Sequence, residues 1–163
     1  MQIIDLHPAV TVTIDFIAWF IIHMSVALTL VRRPLKKFNW NHWLYRERGW
    51  ENGGKIYQNI FKIKKWKSNL PDGADFGKGR GFPKKKLEDR SVEYLAAFLR
   101  ETCRAELTHW ITALFAPLFF LWNPFFVGWI MIVYAALANL PFIMVQRYNR
   151  FRLTRILQHK GSI

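Results

Sequence analysis

Hydrophobic and polar positions separate into long blocks along this chain. Residues 9–31, AVTVTIDFIAWFIIHMSVALTLV, form an apolar run long enough to cross a bilayer as a helix at about 1.5 Å per residue. Arg32 and Arg33 follow directly, and Pro34 predicts the stop. A second apolar region, residues 107–145, is interrupted at Trp122-Asn123-Pro124, a turn signal. Its halves, 107–122 and 125–145, are predicted to form a helical hairpin, with Pro141 kinking the second. The first half is short for a span unless its helix begins upstream. Leu95, Phe98, Leu99 and Thr102 repeat with helical spacing after the acidic Glu88 and Asp89, which predicts such a start.

The remaining segments, 32–106 and 146–163, are polar and basic. Lys55–Lys67 carries apolar residues at 56, 57, 60, 61 and 63, predicting an interfacial helix, with a strand around Phe61–Ile63 as the alternative. Leu70-Pro71-Asp72-Gly73 reads as a turn and Gly77 to Pro83 as a flexible loop. Residues 146–159 read as a short amphipathic helix with Leu153, Ile156 and Leu157 on one side. The expected fold is an all-α membrane protein in a single domain, residues 1–163. It has about three transmembrane helices, an N-terminal span and the hairpin, with a basic interfacial segment between them. A re-entrant hairpin would give the same sidedness, which leaves the number of full crossings open.

Charge sharpens this picture. All twenty-four Lys and Arg lie within 32–104 and 147–160, and none within 1–31 or 105–146. Cations accumulate on loops that stay cytoplasmic, so the N-terminus and the Asn123-Pro124 turn are expected outside and the basic segments inside. The first ten residues lack the basic start of a signal peptide, and the first run reads as an anchor. A formal charge of +13 on a soluble protein would suggest nucleic acid. Beside membrane spans it points to anionic headgroups or a phosphorylated co-substrate, and no nucleic acid is expected. Trp40, Trp43, Trp50 and Trp66 among the cations suit a segment resting on headgroups. The one cysteine, Cys103, excludes an intramolecular disulfide and a Cys-based zinc site.

The sharpest chemical constellation is Arg104-Ala105-Glu106-Leu107-Thr108-His109-Trp110. Glu106 and His109 are three apart and share a helical face, so the carboxylate would orient the imidazole as a general base toward an attacking hydroxyl. The structural alternative pairs Glu106 with Arg104 or Arg147 and leaves His109 as an interfacial anchor. Glu-x-x-His also occurs in di-iron bundles, but no second copy exists here and no metal site is expected. Asn139 would donate to a developing oxyanion or bond a carbonyl freed by Pro141. Arg104, Arg147, Arg150, Lys65 and Lys67 would hold donor phosphates or headgroups, the alternative being ordinary positive-inside anchoring. Asp15 and His23 lie in the first span, where ionisable groups suggest function, though hydration of Asp15 and a hydrogen bond from His23 explain both. Cys103 is read as structural.

Arg104-Ala105-Glu106-Leu107-x-His109-Trp110, Tyr134-Ala135-x-x-Ala138-Asn139-x-Pro141 and Val145-Gln146-Arg147-Tyr148-Asn149-Arg150-x-Arg152-Leu153-Thr154 together resemble the glycosyl-4,4′-diaponeurosporenoate acyltransferases. The likeness continues more loosely at Glu51, Gly54, Lys55, Lys65-Trp66-Lys67 and Asp72-Gly73, spanning roughly residues 50–155 in order. It implies a bacterial cell-membrane enzyme of carotenoid (staphyloxanthin) biosynthesis. Such an enzyme moves a fatty acyl group from a thioester to the sugar of a glycosylated carotenoid. Acyl-CoA is then the co-substrate, the glycosylated carotenoid or another glycolipid the acceptor, membrane lipids the surroundings, and no bound cofactor is expected. A homo-oligomer or a partner subunit is compatible with so short a chain. The competing classes are a non-catalytic lipid- or carotenoid-binding accessory subunit, which would tolerate loss of His109, and a metal-dependent lipid-modifying oxidase, which would carry stoichiometric metal.

Overall fold

A computed structural model describes residues 4, 6–70 and 89–161. The predicted turn at Pro71-Asp72-Gly73, the Gly77–Pro83 loop and Glu88 lie outside the described residues. The described secondary structure is helical throughout: α1 (Pro8–Val31), α2 (Lys55–Asn59), α3 (Ile63–Trp66), α4 (Val92–Leu114) and α5 (Phe125–His159), with short 3-10 turns between them. The chain divides into two compact units. An apolar unit comprises Met1–Arg32 and Leu107–Pro141, and a basic unit comprises Arg33–Glu106 and Phe142–Ile163.

The apolar unit contains α1, the end of α4 and most of the apolar part of α5. Pro8 opens α1 at a position where its missing N–H costs nothing. Trp19 of α1 stacks on Phe119 with ring centroids 4.5 Å apart, and Ala116 and Ala135 complete the buried layer around them. Gly128 of α5 lets the Phe120 ring occupy the place where a Cβ would stand. α1 and α5 are each long and apolar enough to cross a membrane, yet only 22% of the apolar window of either is buried within the protein. Phe16, Phe126 and Leu137 are 75%, 74% and 71% exposed. A core helix of a water-soluble protein would hide such residues, so this surface fits hydrocarbon.

The predicted second span, 107–122, is not one helix. α4 begins at Val92, as its spacing predicted, and ends at Leu114; a 3-10 turn, Ala116–Leu121, continues the chain. Pro117 explains the break, because its ring would clash with the carbonyl of Ala113 and it has no N–H to donate. Among the described helices, α1 and α5 alone meet the length and composition of a span. The hairpin turn falls at Trp122–Pro124 as expected, but the predicted span 125–145 and the tail helix 146–159 are one 35-residue helix that includes Pro141.

The basic unit buries two clusters. Leu95, Phe98 and Leu99 of α4 pack on Leu153 and Leu157 of α5, while Tyr57 and Ile63 pack on Val145 and Tyr148. The helix predicted over Lys55–Lys67 is broken into α2 and α3 because Lys62 adopts φ 49°, and the Trp66 indole donates to Phe61 O at 2.7 Å. Ahead of α2, Asn52, Gly53 and Gly54 occupy the left-handed region in succession, reversing the chain tightly. At Gly54, φ is +79° and a Cβ would lie 2.7 Å from Phe151 Cδ2.

Gly54→Ala is therefore expected to destabilise the protein by about 1–3 kcal/mol, through left-handed strain and displacement of Phe151. Gly49→Ala, where no atom lies within 4 Å of the new Cβ, is expected to be close to neutral. Thermal melting of the two variants side by side checks this; equal melting temperatures would contradict it.

Candidate functional site

Polar side chains are buried among the helices of both units. In the basic unit, Arg147 of α5 is 7% exposed, and all five of its N–H donors are used inside the protein. Nε donates to Glu51 Oε1 at 2.6 Å and Nη2 to Glu51 Oε2 at 2.7 Å, a bidentate fork. Nη1 donates to Glu106 Oε1 at 2.8 Å, and the two remaining hydrogens reach Leu44 O at 3.2 Å and Arg46 O at 2.8 Å. Arg150, one helical turn on, donates through Nη2 to Glu106 Oε2 and lies over the Tyr45 ring at 5.4 Å. Glu51 and Glu106 are wholly buried, and two carboxylates face two guanidinium groups.

Glu51 is the better-held carboxylate. It also accepts from the Tyr57 hydroxyl and, at 2.6 Å, from the Arg48 N–H. Burial alone would raise its pKa, but the Arg147 and Tyr57 hydrogen bonds and the Arg48 amide outweigh it and hold the carboxyl below the usual range. Cys103, also wholly buried, lies 3.8 Å from Arg150 Nη1. Burial pushes its thiol up to about 11, opposed by Arg150 and reinforced by Glu106, which disfavours the thiolate.

In the apolar unit, His109 of α4 lies against Asn139 of α5, with Nδ1 and Oδ1 3.0 Å apart. Asn139 Nδ2 donates to Ala135 O at 2.9 Å, one turn back on its own helix. That bond fixes which way the amide faces, so its oxygen is the atom presented to His109. An amide oxygen only accepts, so Nδ1 carries the imidazole proton and Nε2 is the basic nitrogen. His23 Nδ1 lies 2.9 Å from Trp19 O within α1. Among the described residues, no three His, Cys, Asp or Glu gather where they could hold a metal ion.

The residues singled out from sequence are thus distributed differently from their expected roles. His109 and Asn139 are brought together, but Asn139 orients the imidazole, the task assigned to Glu106, and its amide N–H bonds a carbonyl of its own helix. Glu106 gives one oxygen to each of Arg147 and Arg150. Those two arginines, expected on donor phosphates, are turned inward onto carboxylates, and Arg104 pairs with Glu101 at 2.6 Å. Lys65 is exposed. Lys67 is half-buried over the Tyr148 ring at 5.6 Å, with Asn149 Oδ1 at 3.4 Å. Burial, then the charges of Arg152 and Lys64, hold the Lys67 pKa below its usual value. Sequence reasoning gave no role to Tyr57 or Tyr45. The available signal for Glu51 was its place in the looser family likeness, beside Gly54 and Lys55.

A family model described as glycosyl-4,4′-diaponeurosporenoate acyltransferase matches residues 41–159. Proteins of that name from Staphylococcus aureus strains MRSA252 and Newman are 35% and 36% identical to the chain over 147 residues, covering 88% of this chain and 88% of theirs. No solved structure matches the chain.

Arg147→Ala should destabilise the protein by about 3–5 kcal/mol, because it strands the buried Glu51 carboxylate and removes one of the two guanidinium partners of Glu106. Arg147→Lys should recover little, since an ammonium has three donors and no fork. Denaturant or thermal unfolding of both variants checks this, and a native-like Lys variant would contradict it. Glu51 gives a pH signature. Its folded pKa lies below the unfolded value, so its stabilisation is present above the usual carboxylate pKa and is lost as pH falls through the depressed folded value. Glu51→Gln should be less stable than wild type at neutral pH and lose less on acidification, measured as melting temperature against pH.

Proposed function

The chain belongs to the glycosyl-4,4′-diaponeurosporenoate acyltransferase family, and from that premise we propose that it moves a fatty acyl group from acyl-CoA, or a similar thioester, to a sugar hydroxyl of a glycosylated carotenoid or related terpenoid lipid. The protein works in a bacterial cell membrane, with its N-terminus outside and its basic segments cytoplasmic. The confinement of every Lys and Arg to 32–104 and 147–160 supports that orientation. α1, the Leu107–Leu121 region and α5 supply the three passages.

The observation that carries the chemistry is the tautomer imposed on His109. With Nδ1–H held on Asn139 Oδ1, Nε2 takes the proton of the attacking sugar hydroxyl. The hydroxyl oxygen forms the ester bond to the acyl carbon, the thioester C–S bond breaks, and the departing thiolate takes a proton back from the imidazolium. Asn139 acts as a positioning residue, preventing the ring from turning its basic nitrogen away. A protonated Cys103 and an inward-facing Glu106 favour direct transfer over a covalent acyl-enzyme.

Phosphates of the donor are held by Lys67, Arg152 and Lys64, which lie close enough for their charges to depress Lys67. Lys65 adds to the same positive field. Mutual repulsion among these cations is relieved by an anion, whereas Arg147 and Arg150 have already been matched to carboxylates. Arg147 and Arg150 therefore act by building the basic unit.

Acyl transfer from labelled acyl-CoA to a glycosylated carotenoid in liposomes tests this reading. His109→Ala should lower kcat by about 100- to 10,000-fold with little change in KM, and Asn139→Ala should lower it by less. Lys67→Ala/Arg152→Ala should raise KM for acyl-CoA but not for a truncated thioester lacking phosphates. Wild-type protein that binds the glycolipid and transfers nothing would overturn the enzyme reading in favour of an accessory subunit.

A further inference from the structure

Within the apolar unit lies a cavity of about 590 Å³ that the transfer reaction leaves without a task. The volume is in the range of small-ligand sites. Its walls are apolar, with Val12, Phe16 and Trp19 from α1 and Val127, Ile130 and Met131 from α5. Its polar end is formed by Asp15 and Asn123, 6% and 1% exposed. Asp15 Oδ1 accepts from the Trp122 indole N–H and from Asn123 Nδ2, each at 2.8 Å.

These two bonds decide what remains. Because Asn123 Nδ2 is committed to Asp15, the amide oxygen is turned the other way. It is buried and has no hydrogen-bond partner among the described residues. Asp15 Oδ2 likewise accepts from none of them, both bonds to the carboxylate being at Oδ1. A buried acceptor left in this condition, as Asn123 Oδ1 is, costs free energy, and an acidic side chain inside an apolar unit marks a functional position by default. No cation compensates it from the chain on either side, since residues 1–31 and 105–146 contain neither Lys nor Arg.

We propose that this cavity seats the uncharged, hydroxylated head of a lipid, with the head's O–H groups donating to Asp15 Oδ2 and Asn123 Oδ1 and its chain lying along the Val12–Met131 wall. Adjacent carboxylate and amide oxygens accept two hydroxyls of one head. A phosphate or carboxylate head would set its own acceptor oxygens against Asp15 Oδ2 and Asn123 Oδ1, and is rejected. The polar end of the seat is distinct from the His109–Asn139 pair. Asn123 precedes α5, whereas Asn139 lies fourteen residues beyond Phe125, about 21 Å along the helix, although the α5 wall itself runs on to Tyr134. A head group here is set apart from His109. A sugar head and a glycerol head share the required chemistry. That the occupant is the acyl acceptor, waiting or leaving, rests on the acyltransferase reading; the seat itself does not.

The test uses full-length protein in phosphatidylcholine nanodiscs and a dodecyl glucoside carrying a photoreactive diazirine on its chain. Crosslinks are mapped by mass spectrometry, with no acyl transfer required. Labels are expected on residues 11–19 and 127–134. Unlabelled dodecyl glucoside or a monoacylglycerol should compete, the better competitor identifying a sugar or a glycerol seat, and dodecyl phosphate should not. Asp15→Asn should reduce labelling about tenfold, the loss of a hydrogen bond to a charged group. Val127→Trp should block the cavity sterically, and His109→Ala should leave labelling unchanged. Equal competition by dodecyl phosphate, labelling elsewhere, or labelling indifferent to both Asp15→Asn and Val127→Trp would overturn the proposal. Loss of transfer with labelling intact would count against the acyltransferase reading alone.

Discussion

The basic unit is organised around one guanidinium. Arg147 has five hydrogens to place, and each finds an acceptor, on two buried glutamates and on the carbonyls of Leu44 and Arg46. A buried charge is tolerated only when paired and fully hydrogen-bonded, so the positions of Glu51, Glu106 and the Leu44–Arg46 backbone depend on one another. Well-packed apolar groups in place of a buried ion pair often stabilise a protein as much; what the network adds here is a specific geometry for a segment with little regular structure of its own. The left-handed Asn52-Gly53-Gly54 turn follows directly after Glu51 and returns the chain into α2.

The apolar unit solves a different problem. Its outer surface is hydrophobic, so each polar side chain inside must find a partner within the protein. Asn139 uses its own helix's Ala135 carbonyl and His109, and Asp15 uses Trp122 and Asn123. In the first case satisfying the amide also presents its oxygen to the imidazole. In the second, the same requirement is met on one carboxylate oxygen and leaves the other open.

The family is one of acyltransferases, and the two units differ in what they offer. The apolar unit carries an imidazole held against an amide, and the basic unit carries exposed lysines beside the inward-facing Arg147 and Arg150. Cys103 illustrates how burial decides function: between Glu106 and Arg150, in a site closed to water, the thiol remains protonated and acts as a small apolar side chain.

Much of this was legible in the chain itself. The spacing of apolar blocks, the Trp122-Asn123-Pro124 turn and the helical repeat from Val92 determined α1, the start of α4 and the turn before α5, because hydrophobic runs and Pro or Gly breaks act locally, while the end of α4 and the continuity of α5 through residue 145 were not foreseen. Ordered motifs around His109, Asn139 and Arg147 determined the family. Pairing was not legible. Glu106 and His109 share helical spacing, yet spacing does not say that two arginines forty residues on will claim the carboxylate. Arg147 and Arg150 read as surface cations because sequence gives no burial. Only tertiary packing decided which acid met which base and which way the Asn139 amide faced. Those outcomes depend on competition among distant groups for the same few buried hydrogen bonds, and no local pattern records who wins.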